Sequence, residues 1–153
     1  MPEITRKLEF DAGHRVLHHE GKCRHLHGHR YVVELTVSAD KSDSLGRVID
    51  FGVIKNLVGG WIDENLDHNM ILHPDDALLR MGADRGQSRN EAIALIGREP
   101  FLMPPDTNPT AENIVEMIAE NAIELLEPYE ITIVRVRLYE TPNCWADWTT
   151  KDN

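Results

Sequence analysis

Near the start of the chain apolar and polar residues alternate in two stretches, the period-two pattern of half-buried strands. Leu8, Phe10, Ala12 and His14 share one parity within Ile4 to His14, and His29 to Ala39 is rich in Val, Leu, Tyr and Thr. Lys41-Ser42-Asp43-Ser44-Leu45-Gly46 reads as a turn, Arg47-Val48-Ile49 as a short strand end, and Asp50 as the cap of a helix. The period then becomes helical. Ile54, Leu57, Val58, Trp61, Ile62 and Leu66 make one apolar stripe, with Gly59-Gly60 weakening its middle. A second helix is predicted after Asn108-Pro109-Thr110, with Thr110 as N-cap, Ile114, Met117, Ile118, Ala122, Leu125 and Leu126 inward, and Pro128 as its end. Two strands close the pattern, Ile131 to Glu140 and Asn143 to Trp148, around a Thr141-Pro142 break.

The order ββααββ predicts an α+β domain, an antiparallel sheet with both helices on one face and the other face left to meet something else. Residues 73–106, between the helices, hold scattered Gly, Pro and charge and one short helical pattern, Arg89 to Ile96. So long a connection is commonly a functional loop or an insertion. A chain of 153 residues fits one domain, 1–153, with that insertion included.

Composition narrows the function classes. Lys plus Arg number 16 against 26 Asp plus Glu, a net charge of -10, which disfavours a surface that tracks nucleic-acid phosphates. The apolar-rich segment Ile114 to Leu126 is interrupted by Glu116, Glu120 and Glu124, so no membrane span is expected. Met-Pro-Glu-Ile-Thr-Arg-Lys lacks the apolar run of a signal peptide, and Cys23 and Cys144 are too few for a disulfide framework. The expectation is a cytoplasmic protein.

Eight histidines is a high count for this length, and His14, His18, His19, His25, His27 and His29 all precede residue 30. In an extended backbone His27 and His29 project from the same face, their Cα atoms about 7 Å apart. His14, ending the preceding strand, returns beside them if the two strands pair through a 15–28 loop. Three neutral imidazoles suit a catalytic Zn2+ with an open fourth position. Two other readings stand beside this one. A lone His-x-His is readily a surface pair, and Cys23 as a fourth ligand would make a closed structural site. His18 and His19 read as loop residues, and His25 as support for a ligand or as surface.

Taken together, Phe10-Asp11-Ala12-Gly13-His14-Arg15, Cys23-x-x-x-His27-Gly28-His29, Asp50-Phe51, Leu66-Asp67-His68, Pro109-Thr110-Ala111-Glu112-Asn113 and Glu140-Thr141 resemble the 6-pyruvoyltetrahydropterin synthase / 6-carboxytetrahydropterin synthase family. The three-residue gap between Cys23 and His27 is more similar to the bacterial carboxy enzymes of queuosine (7-deazaguanine) biosynthesis, whereas the 73–106 stretch is longer than in their compact members. The resemblance implies a tunnelling fold whose sheets join into an oligomeric barrel, typically a homohexamer of two trimers with interfacial active sites. It implies His14, His27 and His29 as Zn2+ ligands, Cys23 as the catalytic thiol and Asp67 and His68 as its acid-base partners. Glu140 would anchor the pterin ring, with Thr110 and Phe10 as further substrate contacts.

The implied substrate is 7,8-dihydroneopterin triphosphate, and the implied products are 6-carboxy-5,6,7,8-tetrahydropterin, acetaldehyde and triphosphate. The alternatives are the pyruvoyl synthase reaction and a non-catalytic zinc- or pterin-binding assembly subunit. Zn2+ and imidazole nearby favour a Cys23 thiolate able to carry a proton. Lys22 and Arg24 argue against its burial, whereas Cys144 beside Trp145 reads as a passive buried thiol. Asp67 and His68 are otherwise a helix C-terminal pair, and adjacent side chains face each other only where the helix has unwound. The Glu140 carboxylate falls on the side of Val134, Val136 and Leu138, where it needs a partner; the other reading is a strand-end Glu in solvent. Lys22, Arg24 and Arg15 are candidates for holding triphosphate.

Overall fold

The structure is a computed structural model that describes residues 2–80, 93, 94 and 96–150. Strand β1, Glu3–His14, and strand β2, His27–Ser38, pair antiparallel without a break from Glu3↔Ser38 to His14↔His27. β2 starts two residues earlier than its composition indicated and so takes in His27 and Gly28. The 47–49 segment forms bends rather than a strand, though Ile49 is buried.

Asp50 caps the first helix, its carboxylate accepting from the Gly52 backbone N–H at 2.7 Å. Phe51–Ile54, Lys55–Gly59 and Gly60–Asn65 run on as one helix, α1, whose middle is a π turn. The expected weak point at Gly59-Gly60 thus becomes the end of a wider turn. At Gly59 a Cβ would lie 3.2 Å from Leu8 Cδ2, so the bare residue lets the helix settle close onto β1.

Two short strands lie outside the expected pattern: β3, Asn69–Leu72, and β4, Phe101–Leu102. β3 pairs parallel with the end of β1 and β4 pairs parallel with β3, so the sheet is mixed rather than wholly antiparallel. Four and two residues give too few alternations to register as a period, and Asn69, Ile71 and Leu72 are all buried. The second helix, α2, spans Ala111–Leu126, and a 3-10 turn containing Pro128 follows it.

Strands β5, Thr132–Thr141, and β6, Cys144–Thr149, complete a six-stranded sheet of order β4-β3-β1-β2-β5-β6. β5 carries a bulge: Thr36 pairs with Arg135 but Val37 with Ile133, which leaves Val134 extra. The inward row is therefore Ile133, Val136 and Leu138, a correction to the row predicted through Val134.

The core lies between one sheet face and the helices. Phe10, Tyr31, Val33, Leu35, Val136 and Leu138 meet Ile54, Val58, Ile62, Ile114 and Ile118, all of them almost without exposure. The other face is polar and laced with ion pairs, among them Lys7 with Glu34, Arg30 with Glu9 and Asp11, and Arg137 with Asp147. The Arg89 to Ile96 pattern falls mostly outside the described residues; Ile93, Ala94 and Ile96 are helical. Among the described residues no helix is long and apolar enough to cross a membrane.

Candidate metal centre and acid-base groups

Antiparallel register brings the three histidines together. His14 is opposite His27, and Ala12 is opposite His29, so His14, His27 and His29 all point to the helix side. Their ring centroids lie 4.5 Å (His14 to His27), 5.1 Å (His14 to His29) and 4.9 Å (His27 to His29) apart, and one nitrogen from each falls within 4.8 Å of the others. Between them, Gly28 faces the opposite side of the sheet. A Cβ there would come within 2.9 Å of the Ala12 carbonyl oxygen, so the close approach of β1 and β2 at the histidines requires glycine.

The chemistry of the donor set fits a metal. His14 Nδ1 is 2.8 Å from the Pro109 carbonyl, and His27 Nδ1 is 2.6 Å from the His25 carbonyl. A carbonyl only accepts, so each Nδ1 carries its proton and leaves the Nε2 lone pair free to coordinate. His14 Nε2 and His29 Nε2 are buried without a hydrogen-bond partner. Burial holds both imidazoles below their ordinary pKa, against the raising influence of Glu140, and so keeps them neutral at physiological pH. His25 supports the site through its backbone. His18 adopts a left-handed backbone, φ 64, and His19 accepts from the Gly21 N–H, so both are loop residues.

Cys23 sits half-buried in a 3-10 turn, Lys22–Arg24, whose carbonyl accepts from the Val16 N–H at 2.8 Å. Asn108 grips the same loop, its side-chain oxygen accepting from Leu17 N at 2.9 Å and its amide donating to Leu17 O at 3.2 Å. Tyr31, fully buried beneath His14 and His29, is held above its ordinary pKa by burial and by the nearby Glu140 and Cys23. The parity it shares with His27 and His29 was the signal in the sequence. Cys144 is exposed, not buried, and both cysteines are free. It lies in β6 on a tight hairpin, and its neighbour Trp145 is half in solvent, whereas Ala146 and Trp148 further along the strand pack against the core.

Glu140 reaches the histidine side as predicted, with Oε1 3.5 Å from His29 Nε2. Thr110 is the N-cap of α2, its hydroxyl accepting from Asn113 N at 3.3 Å. Phe10 is a correction. It is 1% exposed and stacks on Tyr31 at 4.9 Å, so it packs beneath the site and presents no surface to a ligand. Arg15 is also committed: it binds Asp76 bidentately, Nε to Oδ2 at 2.7 Å, and Asp76 is wholly buried. That leaves Lys22 and Arg24 of the named cations for an anion.

Asp67 and His68 follow the end of α1, where the helix has unwound. Asp67 Oδ1 accepts from Asp11 N at 2.9 Å and Oδ2 lies 2.8 Å from His68 Nδ1. Burial alone would raise the Asp67 carboxyl; the Asp11 hydrogen bond and His68 outweigh it and hold the group below its ordinary pKa. His68 has φ 54, a left-handed conformation costing about 1–2 kcal/mol for a residue with a Cβ. Its imidazole is mostly exposed and lines a cavity of about 810 Å3 with Asp11, Arg30 and Arg98. Among the described residues no hydrogen bond or ion pair joins Cys23 to Asp67 or His68.

A sheet carrying three converging imidazoles beside a carboxylate, with two helices on one face, defines a protein of the tunnelling fold with a group of side chains that could hold a metal ion. The chain belongs to the 6-pyruvoyl tetrahydropterin synthase family, whose sequence profile matches residues 3–151. A Rickettsia conorii protein named 6-carboxy-5,6,7,8-tetrahydropterin synthase is 44% identical over 96% of this chain and 99% of its own. A Haemophilus influenzae protein of the same name is 30% identical over 97% and 99%. Among solved structures, a Wolinella succinogenes protein superposes with a TM-score of 0.81 at 27% identity, covering 98% of each chain. Plasmodium vivax 6-pyruvoyltetrahydropterin synthase, at 20% identity and a TM-score of 0.70 over 99% and 98% of the two chains, shares the fold.

Proposed function

We propose that this chain is a zinc-dependent lyase, a 6-carboxy-5,6,7,8-tetrahydropterin synthase. It converts 7,8-dihydroneopterin triphosphate to the carboxypterin, acetaldehyde and triphosphate in queuosine biosynthesis. The observation that carries the reading is the convergence of three imidazoles, two with Nδ1 committed to carbonyls, next to Glu140. The names of the relatives supply the product, and the motif resemblance supplies the substrate.

Glu140 accepts the two adjacent N–H donors of the pterin's 2-amino-pyrimidinone edge, a bidentate charge-assisted pair. Its closeness to His29 keeps the ring beside the histidines. His14, His27 and His29 would hold Zn2+, which when bound lowers the pKa of substrate hydroxyls and stabilises negative charge on oxygen. Cys23 takes and returns the proton at the side-chain carbons, and Asp67 holds His68 ready as the second proton carrier. Lys22 and Arg24 flank Cys23 and attract the triphosphate.

The assembly is a homohexamer of two trimers in which a neighbouring copy supplies His68 to the site holding Cys23. Two features support this. Within one chain the thiol and the imidazole are not joined. The outer edge of β1 over residues 3–11 and that of β6 lack strand partners among the described residues, which suits head-to-tail closure into a barrel. The free cysteines fit a cytoplasmic setting.

The test is a product assay on purified protein with dihydroneopterin triphosphate. Acetaldehyde release and the mass of the carboxypterin are expected; a product retaining the side-chain carbons identifies the pyruvoyl reaction, and no turnover removes both. Cys23→Ala should keep zinc and assembly while lowering kcat at least about 100-fold. Zinc lost from that variant would instead make Cys23 a fourth ligand.

A further inference from the structure

The segment at 73–106 is tied to the rest of the chain near both of its ends. At its start, Asp76 holds Arg15, the residue after His14. Near its end, Arg98 donates from Nη2 to the Glu64 carbonyl at 2.8 Å and from Nη1 to the Asp67 carbonyl at 3.1 Å. Leu78 and Ile96 of the same segment line the cavity that His68 enters.

We propose that Arg98 is a positioning residue for the Asp67–His68 pair, so that the insertion is part of the machinery of the reaction and not an ornament of the rim. The proposal rests on the reading of His68 as a proton carrier.

The Asp67 carbonyl belongs to the peptide unit that joins Asp67 to His68. Its oxygen is held by Arg98, and its N–H, that of His68, donates to the Asp11 carbonyl at 2.6 Å. The peptide plane is therefore gripped from both sides, and its orientation sets the left-handed φ of 54 at His68. Only with that turn do two consecutive side chains meet, Asp67 Oδ2 with His68 Nδ1 at 2.8 Å. The other grips, from Asp11 N and Asp11 O, come from β1. Arg98 is the grip that the insertion adds. A planar guanidinium can span two carbonyls that a lysine ammonium on its single stem reaches one at a time. The Glu64 carbonyl also lies in the last turn of α1, where oxygens lack helical partners and a cation is favoured.

The test compares Arg98→Ala, Arg98→Lys, His68→Ala and the double variant Arg98→Ala/His68→Ala as assembled, zinc-loaded protein, with a crystal structure of Arg98→Ala. Arg98→Ala should lower kcat about 10- to 100-fold with KM within about twofold, the size expected of a lost positioning contact. Arg98→Lys should recover part of that loss, and the double variant should be no slower than His68→Ala. The structure should show the Asp67–His68 contact broken. Unchanged kcat, a loss confined to KM, or additive losses in the double variant overturn the proposal, as does an Arg98→Ala crystal with His68 still in place. Wild-type turnover in His68→Ala defeats the reading of His68 itself, and any kcat loss in Arg98→Ala then shows that Arg98 does not act through it. If Arg98→Ala fails to assemble, Arg98→Lys carries the same comparisons.

Discussion

The carbonyls of Pro109 and His25 fix which nitrogen each imidazole offers, and they come from segments distant in sequence and in kind. His14→Ala should therefore leave the fold intact and abolish tight zinc binding, read as metal content per chain after dialysis. Gly28→Ala is the more telling change, because it touches no ligand. Its Cβ, 2.9 Å from the Ala12 carbonyl, must push β1 and β2 apart at His14 and His29, at about 1–3 kcal/mol. A lower Tm together with a lower zinc content is expected; unchanged zinc would mean that the strands absorb the strain elsewhere. Asp67 sets a pH dependence. Its carboxyl is held below the ordinary value of 3.8, so its contribution to stability is full above that pH and lost as pH falls through the depressed folded value. The Tm gap between wild type and Asp67→Asn should be widest near neutrality and close in acid; a gap constant with pH sinks this account. The convergence of the three histidines was legible in the sequence because spacing of two and strand return both follow from backbone geometry. The carbonyls were not, since any residue type supplies one, and Arg15 could not be known as spoken for until Asp76 was seen beside it.

Among the elements, the long strands and both helices were legible through periods that persist over ten or more residues. The bulge at Val134, the π turn in α1 and the short strands β3 and β4 were not, because each departs from a period or is too brief to show one. The bulge resets parity so that Ile133 enters the core, and β3 docks the Asp67–His68 turn against β1. At Thr110 an element end and a proposed substrate contact coincide. Its hydroxyl is engaged in capping α2, so Thr110→Ala should cost about 1 kcal/mol of stability and leave KM unchanged. A several-fold rise in KM would give that hydroxyl a second role at the substrate.

Across the whole molecule the net charge of -10 would leave the proposed triphosphate substrate dependent on local cations, and Lys22 and Arg24 flank the thiol. The larger constraint is the division of the chemistry. Glu140 attends the histidines, Asp67 and His68 gather round Asp11 in a cavity that His27 and His29 also line, and among the described residues no hydrogen bond or ion pair joins Cys23 to His68. If a copy of the chain lends His68 to its neighbour's thiol, two variants dead by themselves can complement one another. Cys23→Ala and His68→Ala, each nearly inactive, should regain turnover when unfolded together and reassembled, because a mixed interface can unite an intact thiol with an intact imidazole. Random 1:1 mixing places both at about a quarter of the sites, which caps the recovery at that fraction of wild-type activity. Simple mixing of the intact assemblies should restore nothing until subunits exchange. Were both groups drawn from the same chain, every site in the mixture would lack one of them, and co-assembly would leave turnover at the level of the separate variants.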